Sequence, residues 1–214
     1  MKICSDGEAT GIRYNRICLK WLNRQIERMR SRRIHVTGAS GAGVTTLGRA
    51  LAGAYAIPHH DSDDYFWLPT DPPYASKRAA ADRIRLMNEM FVARPAWVLS
   101  GSCIGWAQKI EADFDVVIYV FAPTATRLER LRHREELRFG AGSTAEGSSR
   151  HDDANAFFAW AESYDDPGFD GRSKALHAAW LTTMRCPVIR VDGPRPTDEV
   201  VAEITRQWLL GSGW

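Results

Sequence analysis

Residues 38–46 read "GASGAGVTT". Gly38 and Gly43 stand where the pattern G-x-x-x-x-G-K-[ST] requires glycine, and Thr45 stands at its hydroxyl position. Val44 occupies the position of the lysine. Glycines let a backbone wrap a phosphate closely and turn successive N–H groups inward, and a helix starting there adds about half a positive charge. The expected cradle is therefore Gly38, Ala39, Ser40, Gly41, Ala42, Gly43, Val44, Thr45 and Thr46. Thr45 would put its hydroxyl on Mg²⁺, and Thr46 would reach a neighbouring phosphate oxygen. Losing one preorganised charged donor commonly costs ~10²–10³ in rate. Either another cation replaces the lysine, or turnover is weak or absent.

A second cluster, "HHDSDDYFW", spans residues 59–67. Asp61 and Asp63 are one residue apart, so one could act on Mg²⁺ through water and the other could accept a proton from a substrate hydroxyl. Asp64 is a third acid available to a substrate. Standing alone, three acids after a strand read as a solvated turn; beside a phosphate loop they read as functional. His59 and His60 lack spaced partners, which makes them a poor transition-metal site. Trp67 and Trp106, with Tyr65 and Phe66, could wall a substrate pocket or simply fill core.

The missing charge has several possible sources. In "RLERLRHREELRFG", Arg127, Arg130, Arg134 and Arg138 recur at helical spacing and share one face. That face is either a stripe paired with Glu129, Glu135 and Glu136, or a phosphate clamp beside a lid, for which the guanidinium fork is suited. Arg150 and Arg172 flank a Gly/Ser-rich segment at 140–149 and could close over the loop. Lys77 and Arg78 follow "DPPY" and could hold an anionic acceptor.

These residues need a scaffold. Strands are expected at 33–37, 57–61, 96–101, 115–123 and 187–193. Helices are expected at 13–30, 44–55, 76–94, 124–139, 152–164, 173–184 and 197–210. The fourth strand, "DVVIYVFAP", is apolar throughout, as a parallel strand covered on both faces should be. Alternating strands and helices imply a parallel sheet with helices on both faces, and the acidic cluster then falls at the carboxyl edge, where such sheets bind ligands. No linker or internal repeat divides the chain.

With 214 residues, 44% hydrophobic and 25% charged, the chain can bury a sizeable core. The net charge of +2 is uneven: residues 1–33 hold nine Lys/Arg and three Asp/Glu, leaving 19 basic and 23 acidic residues in the remainder. A basic nucleic-acid face is therefore not expected on the folded domain, and residues 1–30 read as a basic accessory extension, with a start at Met29 compatible with the first strand. No apolar run is long enough to span a membrane, and no secretory signal is visible. The four scattered cysteines, Cys4, Cys18, Cys103 and Cys186, read as free thiols of a reducing cytoplasm.

In the order of its parts the chain resembles the small P-loop kinases, namely adenylate, shikimate and gluconate kinases. It is still more similar to a group of bacterial proteins described as adenylate-kinase-like or AAA-family ATPases, in which the lysine position is often non-basic. The resemblance covers about residues 33–210. It rests on "HVTGASGAGVTTLGRALA", "HHDSDDYFWLPTDPP", "WVLSGSCIGW", the arginine-rich helix and "VIRVDGPRP". It implies a P-loop NTPase fold: a five-stranded parallel sheet of order 2-3-1-4-5 with a helical lid at about 138–172. It implies ATP and Mg²⁺ as donor and cofactor, with Asp61 and Asp63 serving metal and acceptor. Gly101 and Ser102 would meet the acceptor, Arg134 and Arg138 the phosphates, and Gly193, Pro194 and Arg195 the adenine. Two departures stand out: Val44, and the lack of an aspartate ending strand three or four.

The leading expectation is an ATP-dependent kinase of a small-molecule acceptor such as a nucleotide or sugar acid, acting without a membrane or nucleic-acid partner. Thr45 and Asp61 would hold the metal. The alternative is a catalytically silent nucleotide-binding module, for which Val44 speaks. A third reading, a nucleic-acid-linked ATPase recruited by residues 1–33, rests on the basic arm alone. No feature of the sequence sets the oligomeric state.

Overall fold

The computed structural model describes residues 32–210. The helix expected at 13–30, Cys4 and Cys18 lie outside them. In chain order the elements are β1 (Arg33–Gly38), α1 (Val44–Tyr55), β2 (His59–Asp61), α2 (Ser62–Phe66), α3 (Ala80–Met87), β3 (Trp97–Ser100), α4 (Gln108–Glu111), β4 (Val116–Phe121), α5 (Thr124–Phe139), α6 (His151–Glu162), α7 (Lys174–Thr182), β5 (Val188–Asp192) and α8 (Thr197–Leu210). The sheet is wholly parallel in the order β2-β3-β1-β4-β5, as expected.

Central β1 and β4 are buried almost along their length because helices cover both faces. One face is filled by Leu47 and Leu51 of α1 with Val200 and Ile204 of α8 against Ile34, Val36 and Ile118. The other holds Met87, Phe91, Trp97, Ile110 and Trp180. A small third cluster joins Leu128 and Leu131 of α5 to Ala154, Phe158 and Ala161 of α6. No helix of the described residues is long and apolar enough to cross a membrane.

The boundaries differ where local chemistry intervenes. The second strand starts at His59 rather than at 57, because Ala56 ends α1 in a left-handed turn and the Ile57 amide donates back to Ala52. The helix expected from residue 76 starts at Ala80. Residues 76–78 instead lie back along 66–68, where the Leu68 amide donates to Ser76 and the Arg78 amide to Phe66. The Gly/Ser-rich segment forms successive hydrogen-bonded turns, Ser143 to Gly140, Ala145 to Gly142 and Ser148 to Ala145. Two short helices, α2 and α4, carry too few residues to show a period in sequence.

Polar groups also lie inside. His35 is fully buried, stacks on Phe114 at 4.6 Å and pairs its Nδ1 with the Leu99 carbonyl at 3.1 Å. His177 is equally buried and bridges Thr37 at 3.3 Å and Tyr164 at 3.0 Å. Burial pulls His35 down to about 4 and His177 to about 3. Both are neutral in the fold, whereas in the unfolded chain each takes up a proton near 6.5. The stability these two burials allow is therefore full above pH 6.5 and is lost as pH falls from there toward 4. Denaturant titrations at stepped pH should show this acid loss, and a flat profile between pH 6.5 and 4 would contradict the two burials.

Candidate functional site: a glycine loop, an acid pair and converging arginines

The glycine loop leaves β1 and enters α1 through contacts that exclude side chains. A Cβ at Gly38 would lie 2.4 Å from the Val120 carbonyl oxygen, and one at Gly41 2.5 Å from that of Arg127. Gly43 caps α1 at φ 101°, a left-handed conformation that favours glycine. The Ala42 amide closes a turn onto Ala39 at 3.1 Å. Val44 is buried in the cluster that holds α1 and α8 residues, and its Cγ2 lies 3.2 Å from a Cβ built on Gly38. Thr46 is exposed.

The acid cluster meets the loop directly. Thr45 Oγ1 donates to Asp61 Oδ2 at 2.8 Å, and the other Asp61 oxygen accepts from the Asp63 amide at 3.1 Å, capping α2. Asp63 and Asp64 lie in the first turn of α2. Burial raises both carboxyls above the ordinary value and Asp61 adds to the rise; Arg172 and Arg134 oppose it at Asp63. Gly101 joins this corner, since a Cβ there would fall 1.9 Å from Ser62 Oγ and 3.5 Å from Asp61 Oδ1. His59 bonds the Ser100 hydroxyl. His60 bonds the Tyr65 hydroxyl at 2.8 Å and stacks on Phe91 at 4.1 Å, so both rings are occupied in packing.

Beyond α2 lies an aromatic wall. Phe66 meets Trp67 at 5.0 Å and Trp106 at 5.5 Å, and Trp67 meets Tyr74 at 5.9 Å. Trp106 is oriented by its indole bond to the Ser102 carbonyl, 2.9 Å. Lys77 is exposed, 6.0 Å from the Phe66 ring. Arg78 donates to the carbonyls of Tyr65 and Trp67 at 3.0 and 3.2 Å, which commits much of its fork to the backbone. The buried cation of this wall is Arg83, 3.8 Å over Phe66 and 5.6 Å from Trp106. No periodic or motif signal marks Arg83 in sequence.

The arginine stripe does not behave as one clamp. Arg127 is fully buried, donating to Asp165 at 2.8 Å, to the Ala161 carbonyl at 2.9 Å and to Thr124 at 3.1 Å. Arg130 reaches the loop itself, donating to Ala42 O at 3.3 Å and Gly193 O at 3.2 Å. Arg134 is half exposed and lies 3.9 Å from Glu135, close enough to Asp63 to influence its carboxyl. Arg138 stands over Tyr74 at 5.2 Å. Arg150 stacks on Phe139 at 3.6 Å and lies 3.8 Å from Glu135. Arg172 donates to Ser40 Oγ in the loop.

The loop after β5 abuts the glycine loop, because a Cβ at Gly193 would lie 2.3 Å from Ala42 O. Arg195 turns instead to its own helix, pairing with Glu203 and with Glu199 at 3.7 Å. Thus Gly38–Thr45, Asp61, Asp63, Gly101 and Gly193 converge, whereas Arg195 is occupied by α8, and Lys77 and Arg138 flank the 71–74 turn.

Arg127→Ala should destabilise the protein by about 3 kcal/mol while leaving ligand affinity near wild type, because it removes a buried ion pair rather than a ligand contact. Chemical denaturation paired with binding would check this. Asp63→Asn should raise stability at neutral pH. A raised carboxyl costs stability above its folded pKa, and the cost fades as pH falls toward the ordinary 3.8. The gain should therefore shrink on acidification; an equal gain at every pH would exclude titration of Asp63 as its source.

No protein-family profile matches the chain. The sequence is 37% identical over 171 residues to the uncharacterized protein YqaC of Bacillus subtilis (strain 168), covering 80% of this chain and 94% of that protein. Among solved structures, shikimate kinase from Acinetobacter baumannii in complex with shikimate superposes with a TM-score of 0.51 at 16% identity, covering 88% of this chain and 98% of that one. A gluconokinase from Sinorhizobium meliloti 1021 gives a TM-score of 0.48 at 16% identity, covering 86% and 99%. The five-stranded parallel sheet of order 2-3-1-4-5 is thus the P-loop kinase fold. The chain belongs to the same family as YqaC of Bacillus subtilis.

Proposed function

We propose that this protein binds ATP with Mg²⁺ and transfers a phosphoryl group to the hydroxyl of a small-molecule acceptor. The observation that carries the reading is the 2.8 Å bond from Thr45 Oγ1 to Asp61 Oδ2 at the foot of the glycine loop. A hydroxyl and a carboxylate joined beside a phosphate cradle are the donor set that Mg²⁺ takes when phosphates and waters complete its shell. The metal would neutralise charge on the phosphates.

The protein's own groups then divide the work. Backbone N–H groups of residues 38–45 and the start of α1 receive the donor phosphates. Asp61 stays on the metal side, held by Thr45 and the Asp63 amide. Asp63, whose carboxyl is raised by burial and by Asp61, is poised to take the proton of an acceptor hydroxyl. Phe66, Trp67 and Trp106 present flat apolar faces to an acceptor, with Asp64 in the first turn of α2. Arg134 faces Asp63 from α5. Arg130 and the loop at 193–195 lie on the opposite rim, the side suited to a base. This supports a nucleotide, a sugar acid or a similar metabolite as acceptor.

The burial of Val44 favours a second reading, a nucleotide-binding module without turnover. Calorimetric titration of Mg-ATP, followed by a product screen over nucleotide, sugar-acid and simple polyol acceptors, separates the two. Under the kinase reading one acceptor class is phosphorylated, and Thr45→Ala and Asp61→Asn each lower turnover ~10²-fold or more. Tight Mg-ATP binding with no product from any class would replace the kinase by the silent module. No ATP binding at all would remove both.

A further inference from the structure

The position that bears a lysine in the G-x-x-x-x-G-K-[ST] pattern is spent on the core: Val44 is 9% exposed and belongs to the same buried cluster as Leu47 and Leu51. A cradle of amides with no side-chain cation is a weak phosphate site. Under the nucleotide-binding reading a cation from elsewhere in the chain would complete the site, and the arginines around the loop can be compared by what already holds them. Arg127 is held by an ion pair to Asp165 and by Thr124 and Ala161, with only its Nε left unpartnered. Arg130 is spread over two carbonyls on the outer rim. Arg134 and Arg150 share Glu135. Lys174 lies 3.9 Å from Asp165 and over Phe121.

Arg172 differs from all of these. It enters from the turn between α6 and α7, 132 residues along the chain from Ser40, whose hydroxyl accepts from its Nη2. Its guanidinium stands 5.0 Å over the Trp160 ring. The Nε is buried without a hydrogen-bond partner. Among the described residues no carboxylate lies within the 4.0 Å ion-pair distance of it. Asp63 is the acid that stabilises its charge, from across the site. The turn that delivers it is tightly packed, with Phe169 carbons 2.6 Å from a Cβ built on Gly171, and Ser173 capping α7 through the Leu176 amide at 3.2 Å. A half-sequestered cation without a counter-ion is costly to keep and is the arrangement that an anionic ligand relieves.

We propose that Arg172 supplies, from the far end of the chain, the phosphate-directed positive charge that Val44 cannot, standing between the glycine loop and the acceptor acid Asp63. The inference rests on the nucleotide-binding reading above. It makes Arg172 a ligand contact rather than a brace, and it places the cation opposite the helix start from which a lysine would reach.

Two probes test it on the full chain: Mg-ATP and inorganic tripolyphosphate, which carries the phosphates without the base. Calorimetry on wild type, Arg172→Lys and Arg172→Gln is compared with melting of the ligand-free proteins. The expected result is that Arg172→Gln weakens both ligands at least ~10-fold, with any turnover falling ~10²–10³-fold. Arg172→Lys should retain most of the affinity, and the free Arg172→Gln protein should melt no lower than wild type, since it sheds a desolvated charge. Unchanged affinity in Arg172→Gln, with wild type binding well, overturns the role of Arg172 and leaves nucleotide binding standing. Collapse of the free Arg172→Gln protein marks a structural residue and overturns it equally. Failure of wild type to bind either probe removes this inference together with the reading beneath it.

Discussion

Three backbone approaches too close for a side chain hold this molecule's working corner together. The loop touches β4 through Gly38, α5 through Gly41, and the loop after β5 through Gly193, each with a carbonyl oxygen where a Cβ would be. Because these contacts are backbone on backbone, a side chain at any of the three glycines would push the loop away from its neighbour. The amides that could receive a phosphate are set by this packing before any ligand arrives, which is what preorganisation requires. The parallel sheet supplies the frame: β1 ends at the loop and β2 ends at Asp61, so both emerge on the same edge.

Charge is the second constraint. The corner gathers three acids on or beside α2 and brings arginines toward them from the far half of the chain. Those arginines look alike in sequence, yet burial and partners give each a different office. Arg127 is a structural pin. Arg130 seals the loop to the residue after β5. Arg134, half exposed beside Glu135, still lowers the Asp63 carboxyl through its charge, and Arg138 covers Tyr74. A guanidinium fully surrounded by acceptors is neutralised and stiff, whereas one with an empty donor direction remains available to an anion. What separates Arg172 from the stripe on α5 is its bond to Ser40 in the loop together with the lack, among the described residues, of a carboxylate at ion-pair distance.

Much of the fold was legible because its signals are local. An apolar strand such as β4, a glycine loop followed by an amphipathic helix, and strict alternation of the two types leave few topologies open. The convergence of Gly38–Thr45 with Asp61 followed from the same alternation, since loops after consecutive strands share an edge. What was missed depends on contacts distant in sequence. The start of α3 moved to Ala80 because 76–78 found partners at 66–68. Arg83 entered the aromatic wall through Phe66 and Trp106, neither of which is near it in sequence.

By itself the sequence determined the five strands and the longer helices, their parallel arrangement, the phosphate-type loop and the absence of its lysine, since each is written in residue type and spacing along a few turns of chain. Only the tertiary structure decided which arginines reach that loop. Ser40 and Arg172 meet across 132 residues, and burial, ring stacking and a withheld counter-ion are properties of surroundings rather than of spacing.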